Sequence, residues 1–176
     1  MPTIQVDHTA DLDPEVLRAA RALLFEVFAD LSEADWDHAL GGVHALAWDG
    51  PVLVGHASVV QRRLVHGGRA LRVGYVEGVA VRPSHRRRGL AGALMGEVER
   101  VVRAAYDLGA LGASDEARAL YAGRGWQPWR GPSSALTPVG LVRTPDDDAG
   151  IHVLVGNVPL DLDAELVCDW RDGDVW

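Results

Sequence analysis

The stretch Gly74–Gly92, G-Y-V-E-G-V-A-V-R-P-S-H-R-R-R-G-L-A-G, limits the fold more than any other part of the chain. It begins as an apolar strand, crosses an arginine-rich turn and opens an amphipathic helix. Apolar Leu90, Leu94, Val98, Val101, Val102 and Ala105 recur there at three- and four-residue spacing. A strand feeding a basic, glycine-containing turn at a helix N-terminus suits a phosphate, because backbone N–H groups and the helix dipole both favour an anion. Arg86, Arg87 and Arg88 supply charge-assisted hydrogen bonds, and Gly89 lets the backbone approach a pyrophosphate closely. One acid, Glu77, interrupts the strand just before the turn, and we expect it to belong to the chemistry beside the anion.

The flanking sequence predicts a mixed α+β pattern. Ile4–Val6 reads as a short strand, and Asp13-Pro14 starts a helix with Asp13 as N-cap and Pro14 at the first helical position. Ser32 opens a second short helix with Asp35 at the capping-box position, and Gly41-Gly42 ends it. Val43–Trp48, Val52–Leu64 and Ala70–Val81, separated by Asp49-Gly50 and His66-Gly67-Gly68, read as three consecutive antiparallel strands. After the central helix come a buried strand at Leu108–Ala113, a helix over Asp115–Gly123 capped by Ser114, and an extended segment from Gly125-Trp126. Residues 127–149 read as a loop or a pair of short strands, and Ile151–Val155 as a late strand. The tail, A-E-L-V-C-D-W-R-D-G-D-V-W, is too apolar and aromatic to be disordered. A chain of 176 residues fits one domain, residues 1–176. Neither a dinucleotide fingerprint nor a P-loop is present.

Charge is segregated along the chain. Residues 1–40 carry nine acids and two bases, residues 41–143 seven acids and fourteen bases, and residues 144–176 nine acids and one base. A basic middle between acidic ends points to two partners of opposite sign: an anion in the middle, and a cation held by carboxylates from both ends. The overall net charge of −8, with no aromatic residues interleaved in the arginine run, argues against nucleic acid. No apolar run approaches the roughly 20 residues of a membrane span, and no secretory signal opens the chain, so a cytoplasmic protein is expected. His38, His44 and His56 lack ligand-like spacing, and no metal is expected. The single cysteine, Cys168, reads as a small buried hydrophobe.

The run V-x-G-V-A-V-R-P-x-x-R-x-x-G-L-A resembles the acetyl-CoA signature of the GNAT N-acetyltransferase superfamily, and A-R-A-L-Y-A-G-R-G-W at Ala117–Trp126 matches its second block. The rest of the chain is similar to the aminoglycoside 2′-N-acetyltransferases of mycobacteria and related bacteria. That likeness is carried by Asp35-Trp36-x-His-x-Leu-Gly-Gly, G-Y-V-E-G-V-A-V, R-T-P-D-D-D and the terminal C-D-W-R-D-G-D-V-W, and it runs from about Ala10 to Trp176. The resemblance implies the GNAT fold, acetyl-CoA as co-substrate, a cationic aminoglycoside as acceptor, and a homodimer. It implies that Asp30, Asp35, Glu77, Gly78, Asp147, Asp174 and the carboxylate of Trp176 contact the drug. It places the pantetheine arm and acetyl carbonyl along Val79, Ala80 and Val81, and the pyrophosphate at Arg86, Arg87, Arg88, Gly89, Leu90 and Ala91. A serine of the family is replaced here by Gly112, which bears on substrate preference.

Acetyl transfer needs a neutral amine, so a proton acceptor is required. We expect Glu77 to take that proton through a water. The Trp176 carboxylate would orient the amine, the Val79 N–H would polarise the thioester carbonyl, and Tyr121 would protonate or hydrogen-bond the leaving thiolate. Other readings stay open at this level: Glu77 paired with Arg72, Tyr121 as a core residue, a different amino sugar or polyamine as substrate, or a non-catalytic acetyl-CoA sensor.

Overall fold

Two glycine turns frame the centre of the chain: Gly50 at φ 56°, and Gly67 and Gly68 at 56° and 75°, which glycine adopts without strain. In the computed structural model, which describes residues 2–176, they separate β2 (Val43–Asp49), β3 (Val52–His66) and β4 (Arg69–Val81). Before them lie β1 (Thr3–His8), α1 (Pro14–Val27) and α2 (Glu33–His38). After them come α3 (Leu90–Ala105), β5 (Leu108–Gly112), α4 (Arg118–Ala122), β6 (Gln127–Pro128), β7 (Ser133–Thr137), β8 (Gly140–Arg143), β9 (Ile151–Val155) and β10 (Leu166–Cys168). The chain forms two compact units, one of Met1–Val60 with Val76–Val101, the other of Gln61–Tyr75 with Val102–Trp176.

In the first unit β1 pairs antiparallel with β2, and β2 with β3, with Val6 opposite Ala45 and Leu46 opposite His56. The apolar face of α1 buries Ala20, Leu23 and Leu24 at the spacing that the sequence shows. These pack with Leu12, Trp36, Leu46 and Leu53 into one core. Burying such side chains contributes about 1.5–3 kcal/mol each, which outweighs any local propensity term. Asp13 occupies the N-cap position of α1 but its side chain makes no capping bond; Pro14 at the first turn sets the start instead. At α2 the expected capping box is complete. Ser32 Oγ accepts from the Asp35 N–H at 3.2 Å, and Asp35 Oδ2 accepts from the Ser32 N–H at 2.8 Å.

In the second unit the first half of β4 runs parallel to β5, with Val73 opposite Leu108 and Tyr75 opposite Ala110. β5 pairs antiparallel with β9, and β9 with β6. On the other side, β10 pairs antiparallel with the end of β3 and parallel with β7, and β7 pairs antiparallel with β8. Glycine is required inside these strands by close packing. A Cβ at Gly74 would lie 2.7 Å from the Tyr106 ring, and one at Gly109 2.9 Å from the Trp126 ring.

One expectation changes and two are made specific. The segment after Ser114 is a 3₁₀ turn, Asp115–Ala117, followed by the five-residue α4, and Ser114 makes no side-chain capping bond. Of the two readings of residues 127–149, short strands are present, as the β7–β8 hairpin. The tail is a sheet strand, because its backbone groups at Leu166–Cys168 pair with neighbours on both sides. Ser32→Ala should therefore destabilise the protein by about 1 kcal/mol, whereas Ser114→Ala should change stability by only a few tenths. Urea midpoints of the two variants check this; equal losses would contradict the capping assignment.

Candidate active site

In the first unit the second half of β4 turns at Gly78, whose φ of +58° disfavours any other residue. The surroundings also crowd a side chain, since a Cβ would lie 3.0 Å from Leu24 Cδ1 and 3.1 Å from His56 Nδ1 and those neighbours would have to give way. The Gly78 carbonyl accepts a 2.7 Å hydrogen bond from His56 Nδ1, and Ser58 Oγ donates to the Glu77 carbonyl at 3.4 Å. Glu77, Gly78 and Val79 are half-buried, while Ala80 and Val81 are buried. The turn that follows is stapled down: the Arg82 N–H donates to Val54 O at 2.8 Å, the Arg82 guanidinium lies 3.2 Å from Glu26, and His85 Nε2 lies 3.0 Å from Asp49 Oδ2.

Arg86 is only partly available for an anion, because its Nε donates to the Val81 carbonyl at 3.1 Å and so braces the end of the strand. Arg87 at φ 59° and Gly89 at φ 79° are left-handed, the kind of turn conformation from which anion-binding nests of backbone N–H groups are built. Arg86 through Gly89 are exposed, Leu90 is buried and Ala91 half-buried, and no acid occupies the first turn of α3. The turn thus fits a pyrophosphate by backbone shape as well as by charge.

Behind Gly78 lies a pair of buried histidines. His44 Nδ1 is 3.0 Å from His56 Nε2, and His44 Nε2 is 2.8 Å from Thr9 Oγ1. Burial, with the neighbouring His56 adding to it, lowers the pKa of His44 to about 3; burial lowers that of His56 to about 4, against the bond to Gly78. Asp35, by contrast, spends one carboxylate oxygen on the α2 cap, and Asp30 is exposed between α1 and α2.

In the second unit Tyr121 is only 5% exposed, with its ring 6.1 Å from that of Trp126, and burial pushes its hydroxyl up to about 12. Asp147 is raised above the ordinary carboxylate value by burial first, and then by Asp174, Asp146 and Asp148. The structure thus brings Asp147 and Asp174 close enough to repel. Trp176 is buried; its indole donates to Thr144 Oγ1 at 2.8 Å and its N–H to Asp174 Oδ1 at 3.1 Å. Arg171 donates to the main-chain oxygens of Asp174 at 2.8 Å and Trp176 at 3.0 Å. The buried Arg62 donates to Asp169 Oδ1 and Val175 O, both at 2.8 Å. Both guanidiniums lie over the Tyr75 ring, 4.6 Å and 5.3 Å from its centre. Gly112 is open: a Cβ there would sit 3.8 Å from Trp176 and the Tyr75 hydroxyl, so a serine would fit. Arg72 lies 3.9 Å from Asp107, which gives its charge a partner other than Glu77. Burial raises the Cys168 thiol to about 11, which disfavours a thiolate.

Residues 15–129 match the acetyltransferase (GNAT) domain family. The chain is 55% identical to an aminoglycoside 2′-N-acetyltransferase of Mycolicibacterium fortuitum, over 99% of this chain and 92% of that protein. It belongs to the aminoglycoside 2′-N-acetyltransferase family of GNAT enzymes. Solved structures share the fold. YhbS, a GNAT family N-acetyltransferase of Escherichia coli solved in complex with CoA, aligns with a TM-score of 0.63 at 16% identity, over 97% of this chain and 90% of that one. Eis1 of Mycobacterium abscessus aligns with a TM-score of 0.61 at 20% identity, over 75% of this chain; the alignment spans 33% of Eis1.

Sequence reasoning missed the residues that hold these groups in place. Arg62 was hidden in a strand of apolar alternation, where a buried arginine has no periodic signal. His44 and His56 carry no ligand spacing because their role is to bond each other and a carbonyl. Among the described residues no group of three His, Cys, Asp or Glu side chains could hold a metal ion, and no helix is long and apolar enough to cross a membrane.

The histidine pair makes stability pH-dependent. Both folded-state pKa values lie below the unfolded 6.5, so the unfolded chain binds more protons as pH falls from 6.5 toward 4. Above pH 6.5 both states are neutral at these sites and nothing is lost. The melting temperature should therefore fall between pH 6.5 and 4, and a His44→Asn, His56→Asn double variant should show a flatter profile over that window. An identical slope would remove the pair as the cause.

Proposed function

We propose that this chain transfers the acetyl group of acetyl-CoA to the 2′-amino group of aminoglycoside antibiotics, and that its expression confers resistance to them. The observation that carries the reading is the 55% identity extending over 99% of the chain, joined to an anion-shaped turn at the start of α3. The whole of residues 1–176 acts as one catalytic domain in this reading, in the cytoplasm and as a homodimer.

The left-handed turn at Arg87–Gly89 holds the pyrophosphate of CoA, with Arg86, Arg88, Leu90 and Ala91 completing that binding segment. Val79, Ala80 and Val81 bind the pantetheine arm through their backbone, and the Val79 N–H donates to the thioester carbonyl. The drug, a polycation, is bound by Asp30, Asp35, Glu77, Asp147 and Asp174 and by the backbone at Gly78. Asp147 and Asp174 suit a cation, because a bound ammonium relieves their mutual repulsion.

Glu77 accepts the proton of the 2′-ammonium through a water, and the Trp176 carboxylate orients the amine. The freed lone pair attacks the thioester carbon, the C–N bond forms, the C–S bond breaks with no acyl-enzyme, and the second proton lost by the new amide nitrogen ends on the departing CoA thiolate. Tyr121, at about 12, is a weaker acid than a thiol of roughly 8.5, so it stabilises the leaving sulfur chiefly by donating a hydrogen bond.

Thiol release from acetyl-CoA should occur with aminoglycosides bearing a 2′-amine, and N-acetylation should be absent with those bearing a 2′-hydroxyl. Equal turnover of both sets would contradict the regiochemistry, and no turnover with any amine would favour a sensor. Glu77→Gln should lower kcat by about 10²-fold or more while acetyl-CoA affinity changes little. An unchanged pH–rate profile in that variant would remove Glu77 as the base.

A further inference from the structure

We propose that His56 and His44 are positioning residues for acetyl transfer: a one-way chain of buried hydrogen bonds fixes the Gly78 carbonyl and thereby the turn of β4 that presents Val79. The inference rests on the reading above for what Val79 does, and on the geometry for the rest.

The direction of the chain follows from chemistry. A carbonyl only accepts, so the 2.7 Å contact at Gly78 requires the proton on His56 Nδ1. His56 is neutral, which leaves its Nε2 as an acceptor, so the 3.0 Å contact requires the proton of His44 on Nδ1. His44 Nε2 then accepts from the Thr9 hydroxyl at 2.8 Å, a shorter contact than the 3.2 Å from that hydroxyl to Gly42 O. Thr9 Oγ1 in turn accepts from the Gly41 N–H at 2.9 Å. Each ring nitrogen has one role, and this arrangement of protons satisfies them all.

His44 and His56 are both fully buried. Two apolar residues could fill this volume without the cost of desolvating four ring nitrogens, but they would leave the Gly78 carbonyl without its donor. That carbonyl is displaced by a backbone conformation that only glycine adopts readily, directly between Glu77 and Val79. The chain begins at Gly41, just after α2, the helix that carries Asp35. It therefore ties the loop behind a drug-binding helix to the strand that holds the thioester. A loss of this kind misplaces a reacting group rather than removing one, which fits an effect on kcat larger than on binding.

Asn places its amide nitrogen where His places Nδ1, so His56→Asn keeps the donor to Gly78 and His56→Leu does not. The expected result is that His56→Leu lowers kcat about tenfold or more with the aminoglycoside KM within about twofold, and that His56→Asn recovers most of the loss. Wild-type kcat in His56→Leu, or equal losses in the two variants, would overturn the proposal. Should His56→Leu fail to fold, ¹⁵N-histidine spectra of the unaltered protein decide. Protonated Nδ1 on both rings, with the His56 resonance shifting when CoA is added, supports the proposal; protonated Nε2 on His56, or no response to CoA, overturns it. The spectra need no turnover, so they remain decisive even if aminoglycosides are not acetylated.

Discussion

The hydrogen bond from His56 to the Gly78 carbonyl is the constraint that holds the left-handed break in β4, and the chemistry proposed for the first unit depends on it. A strand normally alternates its side chains and pairs its backbone groups in strict order. At Gly78 the left-handed conformation breaks that order, and the carbonyl it displaces would be buried without a donor if the histidine were absent. In the proposed mechanism the break lets Glu77 and Val79, two residues apart, do different work: one side chain for proton removal, one backbone N–H for charge on the carbonyl oxygen. Downstream, Arg82, His85 and Arg86 brace the turn against Glu26, Asp49 and Val81. Part of the basic run thus serves rigidity, and backbone N–H groups are left to shape the proposed anion site.

The second unit handles a comparable problem at the other end of the chain. A terminal segment pays a large entropy to be ordered. Here β10 is held by strands on both sides, and beyond it Arg62 and Arg171 bind main-chain oxygens of residues 169–176 while resting on the Tyr75 ring. The indole of Trp176 adds a bond to Thr144. Asp174 is therefore presented by a fixed backbone beside Asp147, and in the proposed function a bound cation would relieve the repulsion between the two.

Much of this was legible in the sequence, for identifiable reasons. The apolar spacing of α1 and α3, the Asp49-Gly50 turn and the Ser32–Asp35 capping box each depend on contacts within a few residues, and each is found where expected. Glu77, Gly78 and the arginine turn stand out because their types are unusual in a strand or at a helix start. What stayed hidden depends on distant partners. Ser114 looks like a cap but does not bond as one, since the turn after it is 3₁₀. Arg62 reaches residues more than a hundred positions away, and His44 and His56 meet only because β2 and β3 pair in one register. Arg86 looked like a phosphate ligand, and its bond to Val81 could not be read from its type.

In the proposed mechanism the conformation of Gly78 sets the chemistry of β4. Its most direct test is kcat of Gly78→Ala at saturating acetyl-CoA and aminoglycoside. A left-handed alanine costs about 1 kcal/mol, and its Cβ would press on Leu24 at 3.0 Å, so the protein should still fold while the strand relaxes away from its turn. The account predicts a loss in kcat of tenfold or more in a variant that still unfolds cooperatively. A cooperatively folded Gly78→Ala protein with wild-type kcat would contradict it.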